Sequence, residues 1–240
     1  NIKENAGKKI KYLIFGKGYL GNKFNNFLED SAISDLRIEN KESVIKEIEK
    51  YNPDFVINCV GKTGRPNVDW CEDNKEETTF SNIEVPLMIA SACQETSKKM
   101  VHIGSGCIYE GDNGGEGFSE EDEPNFYGSY YSITKKISES ILKNYPILQL
   151  RIRMPLDDDP NPRNLITKLL KYDKILVQNN SLTYLPDFFK IAKELMESDQ
   201  TGIFNIVNKN PITHDEILQI YQEISGEKLS YEKISCDELD

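Results

Sequence analysis

The chain has 240 residues, 38% of them hydrophobic and 29% charged, which suits a soluble globular protein with room for one large or two interlocked domains. Its formal net charge of -11 argues against nonspecific binding to nucleic acid or to an anionic membrane surface. The longest uncharged stretch, Val85–Gln94, is far too short to span a bilayer, and the five cysteines show no metal-ligand spacing, so we expect a cytoplasmic protein with free thiols and no metal.

The first predicted strand leads directly into a glycine-rich turn. Ile10–Phe15 is a short apolar and aromatic run, typical of a buried parallel strand, and a helical stretch follows over Asn22–Leu28. Between them lies Gly16-Lys-Gly18-Tyr-Leu-Gly21. In this context G-x-G-x-x-G predicts a dinucleotide phosphate loop at a helix N-terminus, with a plain glycine turn as the alternative.

The second strand is weakly marked, within Ala32–Ile38. Dinucleotide-binding folds place an acidic residue near the end of this strand, where it holds the ribose hydroxyls. The segment here reads Asp35-Leu-Arg37-Ile-Glu39. Arg37 would instead hold a 2′-phosphate and favour NADPH, and a solvated surface arginine is the alternative.

A further apolar strand is predicted over Asp54–Val60 and ends in a polar, glycine-rich loop at residues 61–67. Loops at the carboxyl ends of strands are where α/β sheets bind ligands. Arg65 in this loop is a candidate for contacting an anionic group, or is simply a surface charge. A long helix over Lys75–Lys98 follows, with a break or kink expected at Pro86.

The next strand, Met100–Ile108, delivers Ser105 and Cys107 to its end, and Tyr131 and Lys135 follow on one face of a predicted helix. A free tyrosine, with a pKa of about 10, is a poor acid near neutral pH, and a neighbouring ammonium lowers that value. The pair can therefore hand a proton to a developing alkoxide that Ser105 holds by hydrogen bond. This is the acid that completes hydride delivery to a ketone. The alternative is a chance helix face with a solvated lysine, but the order of the motifs favours catalysis.

Strands and helices alternate as far as Pro155, which predicts an α/β fold with a parallel sheet. After it come a proline-rich turn and several shorter elements, including a helix that Thr213 opens with Glu216 as its capping-box partner. We therefore predict a Rossmann-type doubly wound parallel sheet over residues 1–155, binding NADP and carrying the Ser-Tyr-Lys set. Residues 156–240 are predicted to form a smaller C-terminal α/β substrate cap.

Several longer runs resemble a known family. They include Thr63-Gly64-Arg65-Pro66-Asn67-Val-Asp69-Trp70-Cys71-Glu72, Tyr131-Ser-Ile-Thr-Lys135 and Asn161-Pro162-Arg163-Asn164. The chain resembles the extended short-chain dehydrogenase/reductase superfamily from about Lys11 to Ile224. Within it, the chain is similar to the bifunctional nucleotide-rhamnose synthase/epimerase-reductases of plants and large DNA viruses.

This resemblance implies a reaction. The enzyme would epimerise UDP-4-keto-6-deoxy-D-glucose at carbons 3 and 5 and reduce the 4-ketone with NADPH, or alternatively NADH, to give UDP-L-rhamnose. Epimerisation needs a base and an acid on opposite faces of the sugar, and the family's cysteine and lysine correspond to Cys107 and Lys168, in either order of roles. Tyr131 and Ser105 would hold the enolate oxygen. A buried packing thiol is the alternative for Cys107.

The resemblance also implies binding residues and partners. Cofactor contacts would come from Gly16, Gly18, Tyr19, Leu20, Gly21, Arg37, Val60, Gly61, Thr63, Tyr131 and Lys135. Sugar-nucleotide contacts would come from Thr63, Arg65, Asn67, Arg153, Arg163 and Asn164. An upstream 4,6-dehydratase would supply the keto sugar, and a homodimer is a candidate assembly. The chain departs from the family in its short acidic loop, Gly111–Glu123, and the nucleobase stays open between UDP, dTDP and GDP.

Three other functions compete with this one. A dTDP-4-dehydrorhamnose reductase that relies on a separate epimerase generally lacks a cysteine at position 107. A GDP-fucose-synthase-type enzyme usually has histidine in place of Lys168, and neither His102 nor His214 fits there. A nonenzymatic NADP-binding regulatory subunit tends to lose part of the Ser-Tyr-Lys set, which is complete here.

Overall fold

The computed structural model of the protein describes residues 7–238, which fall into two compact units. The first comprises the described residues up to Arg151 together with Ala192–Asn205. The second comprises Ile152–Ile191 together with the described residues from Ile206 onward. The segment 192–205 belongs to the first unit because its strand pairs with the sheet of that unit. The assignment of a cofactor domain to 1–155 and a substrate cap to 156–240 stays a prediction.

The regular elements are as follows. In chain order the strands are β1 (Tyr12–Phe15), β2 (Ser31–Ile33), β3 (Phe55–Asn58), β4 (Lys99–Ser105), β5 (Leu148–Ile152), β6 (Pro155–Leu156), β7 (Lys174–Leu176), β8 (Thr183–Tyr184), β9 (Gly202–Asn205) and β10 (Glu232–Ile234). The helices are α1 (Tyr19–Phe27), α2 (Lys41–Tyr51), α3 (Trp70–Asp73), α4 (Lys75–Thr79), α5 (Val85–Glu95), α6 (Tyr130–Leu142), α7 (Leu165–Leu169), α8 (Leu185–Glu197) and α9 (His214–Ser225). Among the described residues, no helix combines the length and the apolar run that crossing a bilayer demands.

The first unit is built on a six-stranded sheet in the order β2-β1-β3-β4-β5-β9. β1 pairs in parallel with β2 and β3, β3 with β4, and β5 with β9. Every residue of β1 and β3 is buried, as expected for parallel strands covered on both faces. The predicted Rossmann-type doubly wound sheet is confirmed. Its strand order reverses between β1 and β3, so the loops that follow these two strands flank the crevice where such sheets bind ligands.

The core of the first unit lies between this sheet and helices α2 and α5. Leu13 and Val56 from the sheet and Val44, Ile48 and Ile89 from the helices are completely buried there. Burying an aliphatic side chain of this kind stabilises the fold by roughly 1.5–3 kcal/mol. This packing fixes the carboxyl ends of β1, β3 and β4, where the candidate site is found.

The long helix predicted over Lys75–Lys98 is interrupted. α4 passes into a single π-helical turn, Phe80–Glu84, before α5 begins with Pro86 in its first turn. Pro86 lacks the N–H that would bond the carbonyl of Asn82, so the α-helical ladder cannot run through this point. Such π-helical turns often occur at functional sites.

The second unit has a small core of its own. Leu165 and Leu169 of α7 pack with Ile217 and Leu218 of α9 and with Ile175 of β7. The strands form two parallel pairs, β7 with β10 and β6 with β8. The predicted capping box at the start of α9 is confirmed. β6, β7 and β10 have only two or three residues each, too few to produce the alternation that marks a strand in sequence.

Candidate active site

The glycine-rich turn after β1 is shaped by close backbone contacts. Gly16 has φ +103°, and a methyl group on it would lie 2.7 Å from the carbonyl carbon of Cys59. A methyl group on Gly21 would run into the carbonyl oxygen of Gly16. Gly18, at the N-cap of α1, has open space around its Cα. The first and third glycines thus close the turn and the second leaves room over the helix N-terminus, which fits a dinucleotide pyrophosphate.

This geometry predicts the effect of replacing Gly16 with alanine. The added methyl group meets the backbone after β3, and the positive φ disfavours any L side chain, so the turn must shift. We expect the NADPH Kd to rise by about tenfold or more, equivalent to about 1.4 kcal/mol, measured by fluorescence titration. Gly202→Ala is the matched control, because Gly202 has φ +97° but open space around it. Unchanged NADPH affinity in Gly16→Ala would contradict the assignment of this turn.

Residues beside the turn leave the choice between NADPH and NADH open. Tyr19 and Leu20 begin α1 and are partly buried. Lys17 forms an ion pair with Asp35, which places the segment after β2 beside the glycine turn. Arg37 is exposed two residues later. Both readings made from the sequence, an acidic ribose contact and an arginine contact with a 2′-phosphate, therefore stay predictions.

A buried amide and imidazole connect the ends of β3 and β4. Asn58 Oδ1 accepts a hydrogen bond from Val60 N at 2.9 Å, and its Nδ2 lies 3.1 Å from His102 Nδ1. Burial, helped by the positive charge of Lys135, lowers the pKa of His102 to about 3. His102 therefore stays neutral and does not supply the acid of this site.

Asn82, in the π-helical turn, joins three parts of the site. Its Oδ1 accepts from Lys62 N at 2.7 Å, and its Nδ2 donates to Lys62 O and to Thr134 Oγ1, both at 3.1 Å. The side chain is completely buried. It thereby fixes the loop after β3 against α6, the helix that carries Tyr131 and Lys135. Sequence reasoning missed this role, although an asparagine four residues before a helical proline was the available signal.

Four of the predicted catalytic residues come together in the first unit. Tyr131 and Lys135 are both buried on α6, with Lys135 Nζ 5.8 Å from the Tyr131 ring centroid. Ser132 Oγ donates to the carbonyl of Cys107 at 2.5 Å, and Cys107 N donates to Ser105 Oγ at 3.1 Å. The end of β4, the Cys107 turn and the first turn of α6 are therefore held to one another.

Lys135 is the most strongly perturbed cation at this site. Burial lowers its pKa to about 8, and interactions with Cys107, Cys59 and Cys71 oppose that shift. Gly61 lies against it, since a methyl group there would be 3.2 Å from Lys135 Nζ. Burial raises the pKa of Cys59 to about 12, so Cys59 stays a neutral packing thiol.

The lowered pKa predicts how Lys135→Met changes stability with pH. Below pH 8 both folded and unfolded chains carry the charge, and the folded chain bears the full cost of burying it. At about 1.36 kcal/mol per pKa unit, the variant should be more stable there by about 3 kcal/mol. Between pH 8 and 10.5 only the unfolded chain keeps its proton, so the advantage should shrink and vanish. Urea unfolding of wild type and Lys135→Met across this pH range measures the difference in stability. Lys143→Met, at an exposed lysine, is the control. A pH-independent difference between wild type and Lys135→Met would contradict the expectation.

The loop after β3 carries three of the predicted substrate contacts. Thr63, Arg65 and Asn67 are all exposed, and Asn67 Oδ1 accepts from Asp69 N at 3.0 Å. Gly64 has φ +72°, and a methyl group on it would lie 2.6 Å from Trp70 Cβ. The loop is thus folded onto Trp70 and presents its polar side chains to solvent.

The other predicted contacts lie in the second unit. Asn164 is buried, and its Nδ2 donates to the carbonyls of Asp157 and Asp159 while its Oδ1 caps α7. Its amide is therefore committed to organising this loop, and a sugar-nucleotide contact stays a prediction. Lys168, in the last turn of α7, and Arg163 are partly buried. Arg153 Nη2 donates to Asn180 Oδ1 at 2.5 Å.

The chain is similar in sequence to several known proteins. Residues 7–149 match the NAD dependent epimerase/dehydratase family. A bifunctional dTDP-4-dehydrorhamnose 3,5-epimerase/dTDP-4-dehydrorhamnose reductase from Arabidopsis thaliana is 38% identical over 97% of this chain and 81% of its own length. A trifunctional UDP-glucose 4,6-dehydratase/UDP-4-keto-6-deoxy-D-glucose 3,5-epimerase/UDP-4-keto-L-rhamnose-reductase from the same plant is 37% identical over 95% of this chain, which spans only 36% of that protein.

Solved structures extend the likeness to the fold. The L780 UDP-rhamnose synthase from Acanthamoeba polyphaga mimivirus superposes with a TM-score of 0.89 and 33% identity, covering 95% of this chain and 85% of that one. A dTDP-4-dehydrorhamnose reductase from Bacillus anthracis in complex with NADP has the same fold, with a TM-score of 0.85 and 21% identity over 96% of this chain and 85% of its own. The resemblance inferred from the sequence motifs is confirmed. The chain belongs to the NAD dependent epimerase/dehydratase family, whose cofactor is a nicotinamide dinucleotide, and within it to the epimerase/reductases of nucleotide-rhamnose synthesis.

Proposed function

We propose that this protein converts UDP-4-keto-6-deoxy-D-glucose into UDP-L-rhamnose by epimerisation at carbons 3 and 5 and NADPH-dependent reduction at carbon 4. The observation that carries the proposal is the attachment of Cys107 to the reductase residues. The backbone N–H of Cys107 donates to Ser105 Oγ, and its carbonyl accepts from Ser132 on the helix that carries Tyr131. Among the cysteines that raise the pKa of Lys135, Cys107 has the largest effect. A thiol at this position could remove or return a proton at a sugar carbon, which would add epimerisation to a site suited to ketone reduction.

In the reduction, NADPH held at the glycine-rich turn would supply the hydride that carbon 4 of the sugar receives. Tyr131 donates its phenolic proton to the oxygen that becomes an alkoxide, and the ammonium of Lys135 favours that transfer by stabilising the phenolate. Ser105 Oγ accepts a bond from Cys107 N, so its own O–H serves as a second donor to the substrate oxygen. The largely buried side chains of all three residues keep water from competing for these bonds.

The epimerisation uses the same oxygen. Removing a proton from carbon 3 or 5 places negative charge on the carbon-4 oxygen, where Tyr131 and Ser105 stabilise the enolate. Cys107 and Lys168 then serve as the two proton-transfer groups, with the division into base and acid left to the experiment. A thiol acts as a base in its thiolate form. Cys107 is partly buried, and it is the first of the cysteines whose charge interacts with Lys135.

The choice of UDP rests on relatives. The trifunctional plant protein is named for UDP sugars, and the mimivirus structure is that of a UDP-rhamnose synthase. The bifunctional plant relative is named for dTDP sugars, so dTDP is the competing nucleotide. In the trifunctional protein the 4,6-dehydratase is part of the same polypeptide. We therefore propose that a 4,6-dehydratase supplies the keto sugar to this chain as well.

Product analysis tests the proposal. The chain is incubated alone with UDP-4-keto-6-deoxyglucose and NADPH, and the sugar product is identified by NMR. UDP-L-rhamnose is expected, whereas a 6-deoxy-D-sugar would show a reductase without epimerase activity. Parallel incubations with the dTDP substrate and with NADH compare kcat/KM for each. Absence of NADPH consumption with either nucleotide would favour the regulatory-subunit alternative.

A further inference from the structure

The helix that carries Tyr131 and Lys135 has a third buried titratable residue on the same face. Glu139 lies one turn beyond Lys135 and is 4% exposed. Its two carboxylate oxygens accept hydrogen bonds from Nε and Nη2 of Arg151 at 2.7 and 2.6 Å. Arg151, on β5, is 1% exposed. The pair is therefore bidentate and closed to solvent, the arrangement in which an arginine fixes geometry most strictly.

The same guanidinium also reaches the acidic loop. It lies 5.3 Å from the ring centroid of Tyr109, whose hydroxyl donates to the carbonyl of Asp122 at 2.7 Å. Its Nη1 donates to Asn205 Oδ1 at 3.3 Å, and Asn205 N donates to Glu120 Oε1 at 2.7 Å. Two separate paths thus run from Arg151 to residues 120–122 of the loop.

Stability alone is a weak reason for such a pair. Removing two charges from water offsets most of the attraction between them, and well-packed apolar residues in their place often stabilise a protein as well or better. A buried ion pair is better suited to fixing the relative position of the elements it joins. Here those elements are the catalytic helix, the central sheet and the acidic loop.

We propose that Arg151 is a positioning residue for the reaction, which holds α6 and the acidic loop in one arrangement and keeps Glu139 engaged so that Lys135 serves Tyr131. This inference rests on the proposed reductase activity. Arg151 acts through Glu139 and touches neither reactant.

An unengaged Glu139 would change the electrostatics of the site. The titratable groups that interact with Lys135 are Tyr131 on its own helix, Cys59 after β3, Cys71 on α3, His102 on β4 and Cys107 after β4. Glu139 follows one turn further along α6, where Arg151 engages its carboxylate. Without Arg151, the Glu139 carboxylate would compete with Tyr131 for the ammonium one helical turn away. The apparent pKa of the Tyr131–Lys135 pair would then rise, because the phenolate loses part of its stabilising cation.

Kinetics of matched variants test the electrostatic part. We expect Arg151→Met to lower kcat about tenfold or more with little change in KM. In a plot of kcat against pH, the alkaline limb should move to higher pH by about one unit. The double variant Glu139→Gln/Arg151→Met should return the limb to its wild-type position, since it has no carboxylate to compete. Arg151→Lys keeps the positive charge but loses the bidentate geometry. Its alkaline limb should therefore stay at the wild-type pH, and its kcat should fall less than that of Arg151→Met. Lys41→Met, which breaks the exposed pair with Glu95, is the control.

Hydrogen exchange tests the positional part without any reaction. In Arg151→Met, amide exchange should rise together in residues 111–123 and 130–142 and stay at the wild-type level in β1 and β3. If Arg151→Met does not fold, Arg151→Lys carries the same comparison. A wild-type chain that reduces no keto sugar would refute the proposed function, and the exchange measurement would still decide this inference. Unchanged exchange and an unmoved limb, or exchange that rises equally throughout the unit, would overturn it.

Discussion

Replacing Tyr131 with phenylalanine should lower kcat for ketone reduction by roughly 10²–10⁴-fold, the usual contribution of a positioned general acid. The variant loses only the phenolic oxygen, and the buried ring keeps its packing on α6. NADPH affinity should therefore stay within a few-fold of wild type. Stopped-flow NADPH oxidation measures the chemical step, and fluorescence titration measures the binding.

Tyr130→Phe provides the matched control for this experiment. Tyr130 is the neighbouring residue on the same helix, but its hydroxyl bonds Thr79 Oγ1 at 2.6 Å and is not one of the predicted site groups. The two variants lose the same atom one residue apart, so a defect shared by both would indicate damage to the helix. A Tyr131→Phe variant that reduces the keto sugar at the wild-type rate would contradict the assignment of the acid.

Local motifs explain why much of this site was predictable from sequence. The glycine spacing reflects the short turn between β1 and α1, and the Tyr131/Lys135 spacing reflects one turn of a single helix. Each needs only the secondary structure around it to be correct. The same holds for the break at Pro86, which follows from a missing N–H.

The remaining features depend on contacts between distant parts of the chain. Asn82 acts through Lys62 and Thr134, twenty and fifty-two residues away, and its sequence neighbours do not reveal these partners. The engagement of Glu139 by Arg151 requires β5 to lie under α6. The return of 192–205 to the first sheet depends on pairing between β9 and β5, which no local pattern encodes. Sequence reasoning therefore predicted the glycine turn and the Tyr131/Lys135 pair but missed the buried polar contacts that hold these segments in place.

Replacing Cys107 with alanine should stop formation of the L-sugar while leaving the reductase site assembled. The two hydrogen bonds that tie this residue to Ser105 and Ser132 come from its backbone, so losing the thiol leaves both in place. The proton transfer itself should slow by roughly 10²–10⁴-fold. NADPH affinity should be unchanged, and Cys236→Ala, which removes an exposed thiol, is the control.

Solvent deuterium distinguishes the two roles that the sequence left open. The keto sugar is incubated in D₂O without NADPH, and label at carbons 3 and 5 is followed by NMR. If Cys107 is the base, Cys107→Ala abolishes labelling, because no proton leaves carbon. If Cys107 is the acid, the base still exchanges the proton on its own face, so label enters without inversion, and Lys168→Met gives the complementary result. Normal labelling and normal UDP-L-rhamnose formation in Cys107→Ala would show that Cys107 is not one of the two proton-transfer groups of the epimerisation.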